Sequence, residues 1–395
     1  MKIIFLTHPD FLGHKSMPRY TTMLASGMES RGHNVEVWAP KGVLVTLAKN
    51  ATLRKWLGYL DQYVLFSLLI RWRLRTSEEN DLFVLIDNAL GPWVPFIKKR
   101  PHVVHCHDFL AQFSAMGLIK INLTSFTGKL YQRFIRHGLF QARNFISVSL
   151  KTKSDLIKLL PQTPAICEVV YNGLNQQFTE VDPSYARGLL GKLLASDFTE
   201  GFILHVGGNQ WYKNKISVIE TYIYWRSYSE IKLPLLLIGE KASSDMLQKA
   251  RNSKFSEDIY FLEEADNEQV RLAYYGARLF VFPSLAEGFG WPIAEAMATG
   301  CPVITTDADP MREVAGNAGF LVPVMPESED LHSAWIQDVA NIIEHVITMP
   351  PAALGQVCAA AVKNSERFDT AKSLDKMEEI YVRIIKSYQS VNKTT

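Results

Sequence analysis

Cysteine is scarce: four in 395 residues, at 106, 167, 301 and 358, with no two at the close spacing of a zinc or iron–sulfur site. Three of them lie in apolar runs and read as small core residues, which argues against a disulfide-stapled domain and fits a reducing compartment. Long apolar runs are also missing. The nearest, residues 63–70, falls far short of the roughly 18 residues that a spanning helix needs, so no membrane-crossing helix is expected. The N-terminal apolar run is cut off at once by His8-Pro9-Asp10 and reads as a first strand rather than a signal peptide. No motif of RNA or DNA binding is present. Neither domain's first loop carries the spaced glycine triplet of a dinucleotide site, which argues against an NAD-linked oxidoreductase.

Charge of one sign is lacking overall, since 42 Lys and Arg against 40 Asp and Glu leave +2. Its distribution is uneven. Residues 1–190 hold 23 basic and 13 acidic side chains (+10), and the remainder holds 19 and 27 (−8), so the halves are expected to meet different partners. Within residues 41–75, seven Lys and Arg stand against one acid, Asp61, interleaved with Trp56, Tyr59, Tyr63, Phe66 and Trp72. Such a pattern suits peripheral contact with an anionic membrane surface. It equally suits a pair of helices whose apolar face packs on a sheet and whose cations are solvated.

A content of 47% hydrophobic and 21% charged residues describes a chain with packed cores, and its length predicts two domains. The chain opens as strand (2–7), loop with one glycine, Gly13, helix (about 20–28) and strand (35–39), a βαβ unit. Strand patterns return at 82–86, 102–106, 144–148 and 168–171. The third of these six strands is followed by a fourth, 102–106, that empties into His107-Asp108, at the ligand edge of an α/β sheet. His105, inside that strand, reads as a satisfied core histidine. After a connection at 175–200, with a helix near 185–194, the pattern restarts with strands at 202–206, 235–238, 259–262, 279–282, 301–305 and 320–324. Two Rossmann-like, doubly wound α/β domains facing each other are the expected architecture, 1–185 and 186–369, with a last helix in 370–395 crossing back to the first.

The most informative stretch is residues 283–307, PSLAEGFGWPIAEAMATGCPVITTD. A strand ends at Pro283, and Glu287-Gly288-Phe289-Gly290 forms a loop in which backbone N–H groups can approach a ligand. Pro292 suits the first turn of a helix, whose N-terminus favours an anion beside the loop. Glu287 and Glu295 bracket that positive end, and carboxylates there serve hydroxyls flanking a phosphate better than the phosphate itself.

With Arg31-Gly32-His33, His107-Asp108, Val148-Ser149, Tyr171-Asn172-Gly173, Glu313-Val314-Ala315-Gly316 and Arg367-Phe368, this stretch resembles the retaining glycosyltransferases of family 4, of GT-B fold, over nearly the whole chain. The resemblance implies that the second domain binds a nucleoside diphosphate sugar. Glu295 would hold the ribose hydroxyls and Glu287 the donor sugar, with the amides of Phe289, Gly290 and Trp291 toward phosphate or sugar and the base near Gly239 and 261–264. The family places a cation early in the loop after residue 206 and a lysine five residues on. Lys213 matches the lysine and Gly208 stands where the cation is expected, so Lys215 or backbone amides must make up the difference. His107 would reach the donor sugar from the first domain, with Gly13 and Asp108 on the acceptor side. A metal at Asp307-Ala308-Asp309 is rejected, and neither metal nor cofactor is implied. The expected reaction moves a hexose-type unit to an acceptor hydroxyl, carried on a lipid, in assembly of a bacterial surface polysaccharide or glycolipid, in the cytoplasm or at the inner face of the cell membrane. The alternatives are a nucleotide-sugar epimerase on the same fold and a non-catalytic nucleotide-sugar-binding protein.

Overall fold

The structure is a computed structural model that describes residues 1–13, 16–174, 178 and 181–393. Short runs of Val, Ile, Leu and Phe bounded by turn formers become strands, and helices on both faces bury them. In the first sheet these are β1 (Lys2–Leu6), β2 (Asn34–Trp38), β3 (Leu82–Leu85), β4 (His102–Cys106), β5 (Asn144–Ser147) and β6 (Ile166–Val169), in the order β2-β1-β3-β4-β5-β6. All neighbours are parallel, with Ile3 beside both Val35 and Leu82. The second sheet contains β7 (Ile203–Gly207), β8 (Leu235–Gly239), β9 (Ile259–Glu263), β10 (Leu279–Phe282), β11 (Val303–Thr306) and β12 (Phe320–Val322), in the order β12-β11-β10-β7-β8-β9, again all parallel. Strands such as β3 and β10 are buried at every residue, which is why they read as continuous apolar runs rather than alternating ones.

The chain divides into two units, Met1–Asn175 with Thr370–Thr395, and Gln176–Asp369. The first division falls earlier than the 185/186 read from the sequence. The reason is the helix Pro183–Leu194, which buries Ala186 and Leu190 and whose Arg187 donates from Nε to the Gly276 carbonyl at 2.9 Å. The helix is where the sequence predicts one, near 185–194, and its packing assigns it to the second unit. The last helix, Thr370–Lys393, belongs to the first unit: Arg31 pairs with Asp375 at 2.5 Å and His33 with Glu378 at 2.7 Å. His105 is a core histidine, 0% exposed, with Tyr20 at 2.7 Å from Nδ1 and Tyr381 at 2.8 Å from Nε2.

Residues 41–75 are helical in three pieces, Ala51–Leu60, a π-helical turn Asp61–Leu65, and Phe66–Arg73. The single acid is no surface charge. Asp61 is buried, and its carboxylate accepts the amides of Val43, Leu44 and Val45 at 3.1, 2.9 and 2.9 Å. Among the described residues no single helix is long and apolar enough to cross a membrane.

Candidate functional site

In the second sheet the chain lays down β7, β8 and β9 in one direction and then returns to place β10 on the other side of β7. The loops after β7 and β10 therefore diverge, and open α/β sheets hold ligands outside the carboxyl ends of strands at such a switch point. Lys213 and Glu287 come from these two loops. Lys213 Nζ lies 2.7 Å from Glu287 Oε1, both largely buried, and Ser284 Oγ donates to the same oxygen at 2.9 Å. The ammonium also sits over the rings of Tyr212 and Phe282, 5.4 and 5.1 Å from their centroids. Two further bonds weld the loops: Leu285 N to Tyr212 O at 2.8 Å and Asn214 Nδ2 to Pro283 O at 3.1 Å. Residues 74 positions apart in sequence thus form one rigid pair.

Gly288 follows Glu287, and Gly290 caps the helix Trp291–Ala298 in a left-handed conformation, φ 104°, which favours glycine. Phe289 turns its ring into the core, edge-on to Phe368 at 5.4 Å, so the loop offers backbone rather than that side chain. Trp291 is the first helical residue and Pro292 the second, as the missing proline N–H permits. Glu295, one turn on, is 7% exposed and accepts a hydrogen bond from the Tyr274 hydroxyl at 3.1 Å. That tyrosine fixes the orientation of the carboxylate.

Gly208 opens the loop after β7, and the next two residues are pinned to the end of β8. Asn209 N and Gln210 Nε2 donate to the Glu240 carboxylate at 3.1 and 3.2 Å, and Asn209 Nδ2 donates to Lys241 O at 2.6 Å. Gly207 and Gly239 face each other in register at the strand ends. A β-carbon on Gly239 would lie 1.9 Å from Gly207 O, so this approach requires glycine. Lys215, the first residue of the helix Lys215–Tyr228, reaches back to the same place. Beneath them His205 donates from Nδ1 to Val281 O at 2.9 Å, leaving Nε2 as a buried acceptor with no partner among the described residues. Burial first, and then the charges of Lys215 and Lys213, push its pKa down to about 3, so the ring is neutral.

The first sheet has its own switch point at β1 and β3, and the loops there carry a cluster that the sequence reading reached only through His107. His107 Nε2 donates to Ile86 O at 2.8 Å, and its ring stands edge-on to Tyr20 at 4.8 Å. Burial lowers its pKa, opposed by Asp87, which keeps the imidazole neutral with Nδ1 as an acceptor. Beside it His8 Nε2 and Asp87 Oδ2 are 2.9 Å apart. Neither is a candidate from the sequence: His8 reads as the interruption of the first apolar run, and Asp87 only follows the strand at 82–86. Their only sequence signal was position at the ends of adjacent strands. Asp108 accepts the Leu110 amide at 3.0 Å, and Gly13 closes the turn Asp10–Leu12 in a left-handed conformation, φ 69°.

Asp307 and Asp309 are both engaged by Arg312, at 3.2 and 3.0 Å. Among the described residues no group of three or more His, Cys, Asp or Glu is placed to hold a metal ion.

Two family models match this chain, "Glycosyltransferase Family 4" over residues 17–178 and "Glycosyl transferases group 1" over residues 202–344. Among curated relatives it is 26% identical over 207 residues to the O-antigen chain mannosyltransferase B of Escherichia coli (52% of this chain, 53% of the relative). It is likewise 26% identical over 221 residues to the O-antigen chain mannosyltransferase RfbU of Salmonella typhimurium (55% and 56%). The chain thus spans about half the length of these relatives. Among solved structures it resembles Anabaena Alr3699/HepE, crystallised with UDP and glucose, with TM-score 0.72, 18% identity and coverage of 97% of this chain and 100% of the other. It also resembles WaaG, a glycosyltransferase involved in lipopolysaccharide biosynthesis, with TM-score 0.69, 15% identity and coverage of 96% and 99%. With two Rossmann-like units of the GT-B fold and a family match in each, the chain belongs to the family 4, group 1 glycosyltransferases.

Proposed function

We propose that the protein is a retaining hexosyltransferase that moves a sugar from a nucleoside diphosphate to an acceptor hydroxyl in surface polysaccharide or glycolipid assembly. The observation that carries this reading is the convergence of Lys213, Glu287, the 287–290 loop and a helix N-terminus at the switch point of the second sheet. There Lys213 and the helix end stabilise charge on the leaving diphosphate, Glu287 takes a hydroxyl of the donor sugar, and Glu295 takes the ribose. The first unit supplies the acceptor side through His107, whose neutral ring accepts a hydroxyl hydrogen at Nδ1. Relatives named for mannosyl transfer make a mannosyl donor the first to assay. The cation roles fall to lysines, so turnover is expected to persist in EDTA.

The test is a thermal-shift panel of UDP-, GDP-, ADP- and dTDP-linked sugars, followed by donor turnover with sugar and lipid-linked acceptors. A ligand at a hundred times its Kd stabilises by about 2.7 kcal/mol. Donor rearrangement without acceptor would replace this reading with an epimerase, and binding without turnover with a sensor.

A lipid-carried acceptor is supported by one face of the first unit. Trp56 and Trp72 are 55% and 61% exposed there, with Leu53, Leu60, Val64 and Leu68 also exposed and Arg54, Lys55 and Arg71 among them. This face supports a reading in which the protein works against the inner leaflet. Flotation with vesicles containing anionic lipid is expected to carry the protein, and its absence from vesicles of either charge would remove the membrane from the reading.

A further inference from the structure

Lys215 is 5% exposed, yet its ammonium has a single hydrogen bond, to Asn209 Oδ1 at 3.2 Å. Among the described residues no carboxylate lies within ion-pair distance of it. Glu240, the nearest candidate, spends its two oxygens on Asn209 N and Gln210 Nε2. Lys213, by contrast, is neutralised by Glu287. The unit therefore buries one cation that is paired and one that is not, side by side at the ends of β7 and β8.

An unpaired buried charge opposes folding, and a methionine of similar length would fill the same space without that penalty. Such a group is kept where a ligand completes it. Its position says which ligand. The Nζ stands 3.0 Å from where a β-carbon on Gly239 would be, above the two opposed glycines that clear the backbone from the strand ends. Lys215 also begins the helix Lys215–Tyr228, whose N-cap residue Asn214 makes no side-chain cap, so helix dipole and ammonium reinforce each other. Gly208, in the adjoining loop, brings no charge of its own.

We propose that Lys215 is the second cation of the diphosphate subsite, binding the phosphate oxygens of the nucleoside diphosphate that Lys213, tied to Glu287, does not neutralise alone. This rests on the donor-binding reading above and goes beyond it by naming the group that discharges the leaving diphosphate. Burial, with Lys213 adding to it and Glu240 opposing, pushes the pKa of Lys215 down to about 8, the state of a cation awaiting a counter-charge. The ionisable groups that face it are Glu240 beyond β8, Lys213 in the turn after β7 and neutral His205 on β7.

The experiment is calorimetric titration of the full chain with UDP and GDP, and with uridine and guanosine, for the wild type and Lys215→Met. The nucleotide that binds wild type is then followed. Lys215→Met is expected to weaken the diphosphate by about tenfold to a hundredfold while leaving the nucleoside unchanged, with a Tm that does not fall. Wild-type diphosphate affinity is expected to decline as pH rises through about 8, and Lys215→Met to flatten that profile. Gly208→Arg on the variant background adds a side chain that meets only the movable end of Gln210, and recovery of affinity would mark a lost charge rather than lost packing. Unchanged diphosphate affinity in Lys215→Met, or equal weakening of nucleoside and diphosphate, overturns the proposal. Absence of any diphosphate binding by the wild type would instead overturn the donor-binding reading, and that result is read without the variant.

Discussion

Lys213 and Glu287 hold each other at 2.7 Å, and Ser284 shares the contact, so the pair is already arranged before any ligand arrives. Preorganised groups of this kind lose little on meeting developing charge. Glu287→Gln keeps the shape and removes the charge, and is expected to lower donor turnover about a hundredfold and, by leaving the buried Lys213 ammonium without its counter-charge, to lower the Tm as well. A near-normal rate in a donor-consumption assay would sink the role. The His8–Asp87 pair gives a second residue-scale expectation. Burial alone would raise the Asp87 pKa, but the hydrogen bond and charge of His8, with the Ala89 amide, bring it down to about 2, against 3.8 when unperturbed. A carboxylate depressed in the folded state stabilises above its unfolded pKa and loses that contribution as pH falls toward the folded one. Asp87→Asn is therefore expected to cost about 2 kcal/mol at pH 7, with the difference from wild type vanishing between about pH 4 and 2 in urea titrations. Glu287 stands out in the sequence by its glycine loop and Lys213 only through the family resemblance, and the structure brings the two into contact. His8 and Asp87 were not legible, since nothing short of the β1–β3 pairing brings residues 79 positions apart into contact.

At the scale of elements, the twelve strands among the described residues were readable because most are apolar runs between turn formers, a composition that burial on both faces demands in β3 and β10 and that the edge strands β2 and β6 keep only in part. Which core the helix Pro183–Leu194 joins was not, and neither was the π-helical turn Asp61–Leu65. In the first, an element between two domains has no local mark of which core it joins. In the second, a lone acid among cations resembles a surface charge until three amides of a neighbouring segment are seen to converge on it. The strand ends supply a sharper contrast. Gly207 and Gly239 pass so closely that a methyl on Gly239 collides with a backbone carbonyl, whereas a methyl on Gly208 meets only the flexible end of Gln210. Gly239→Ala is expected to lower stability by about 2–3 kcal/mol and to weaken donor binding by parting β7 from β8. Gly208→Ala is expected to stay within about 0.5 kcal/mol of wild type. Thermal unfolding of both variants checks the pair, and equal losses would contradict the geometry.

At the scale of the whole molecule, the chain leaves the first unit at residue 175 and returns to it at residue 370, so that unit is completed only after the second has been made. The returning helix buries Leu374, Met377, Ile380, Tyr381 and Ile384, and Tyr381 bonds the core histidine of β4. Gly27, on the helix Ser16–Glu29, lets the two helices approach so closely that a β-carbon there would lie 2.5 Å from Leu374. Five buried apolar side chains at about 2 kcal/mol each amount to roughly 10 kcal/mol, comparable with the entire net stability of a domain. Ending the chain at residue 369 is therefore expected to unfold the first unit. The second unit keeps its own sheet and the core built on Trp225, Trp335 and Ile343, and is expected to retain its unfolding transition and its nucleoside diphosphate binding while turnover is lost. Limited proteolysis with fragments weighed by mass spectrometry decides the matter: rapid cleavage throughout 1–175 beside a lasting fragment of the second unit fits this account, and a first unit as resistant as in the full chain would refute it.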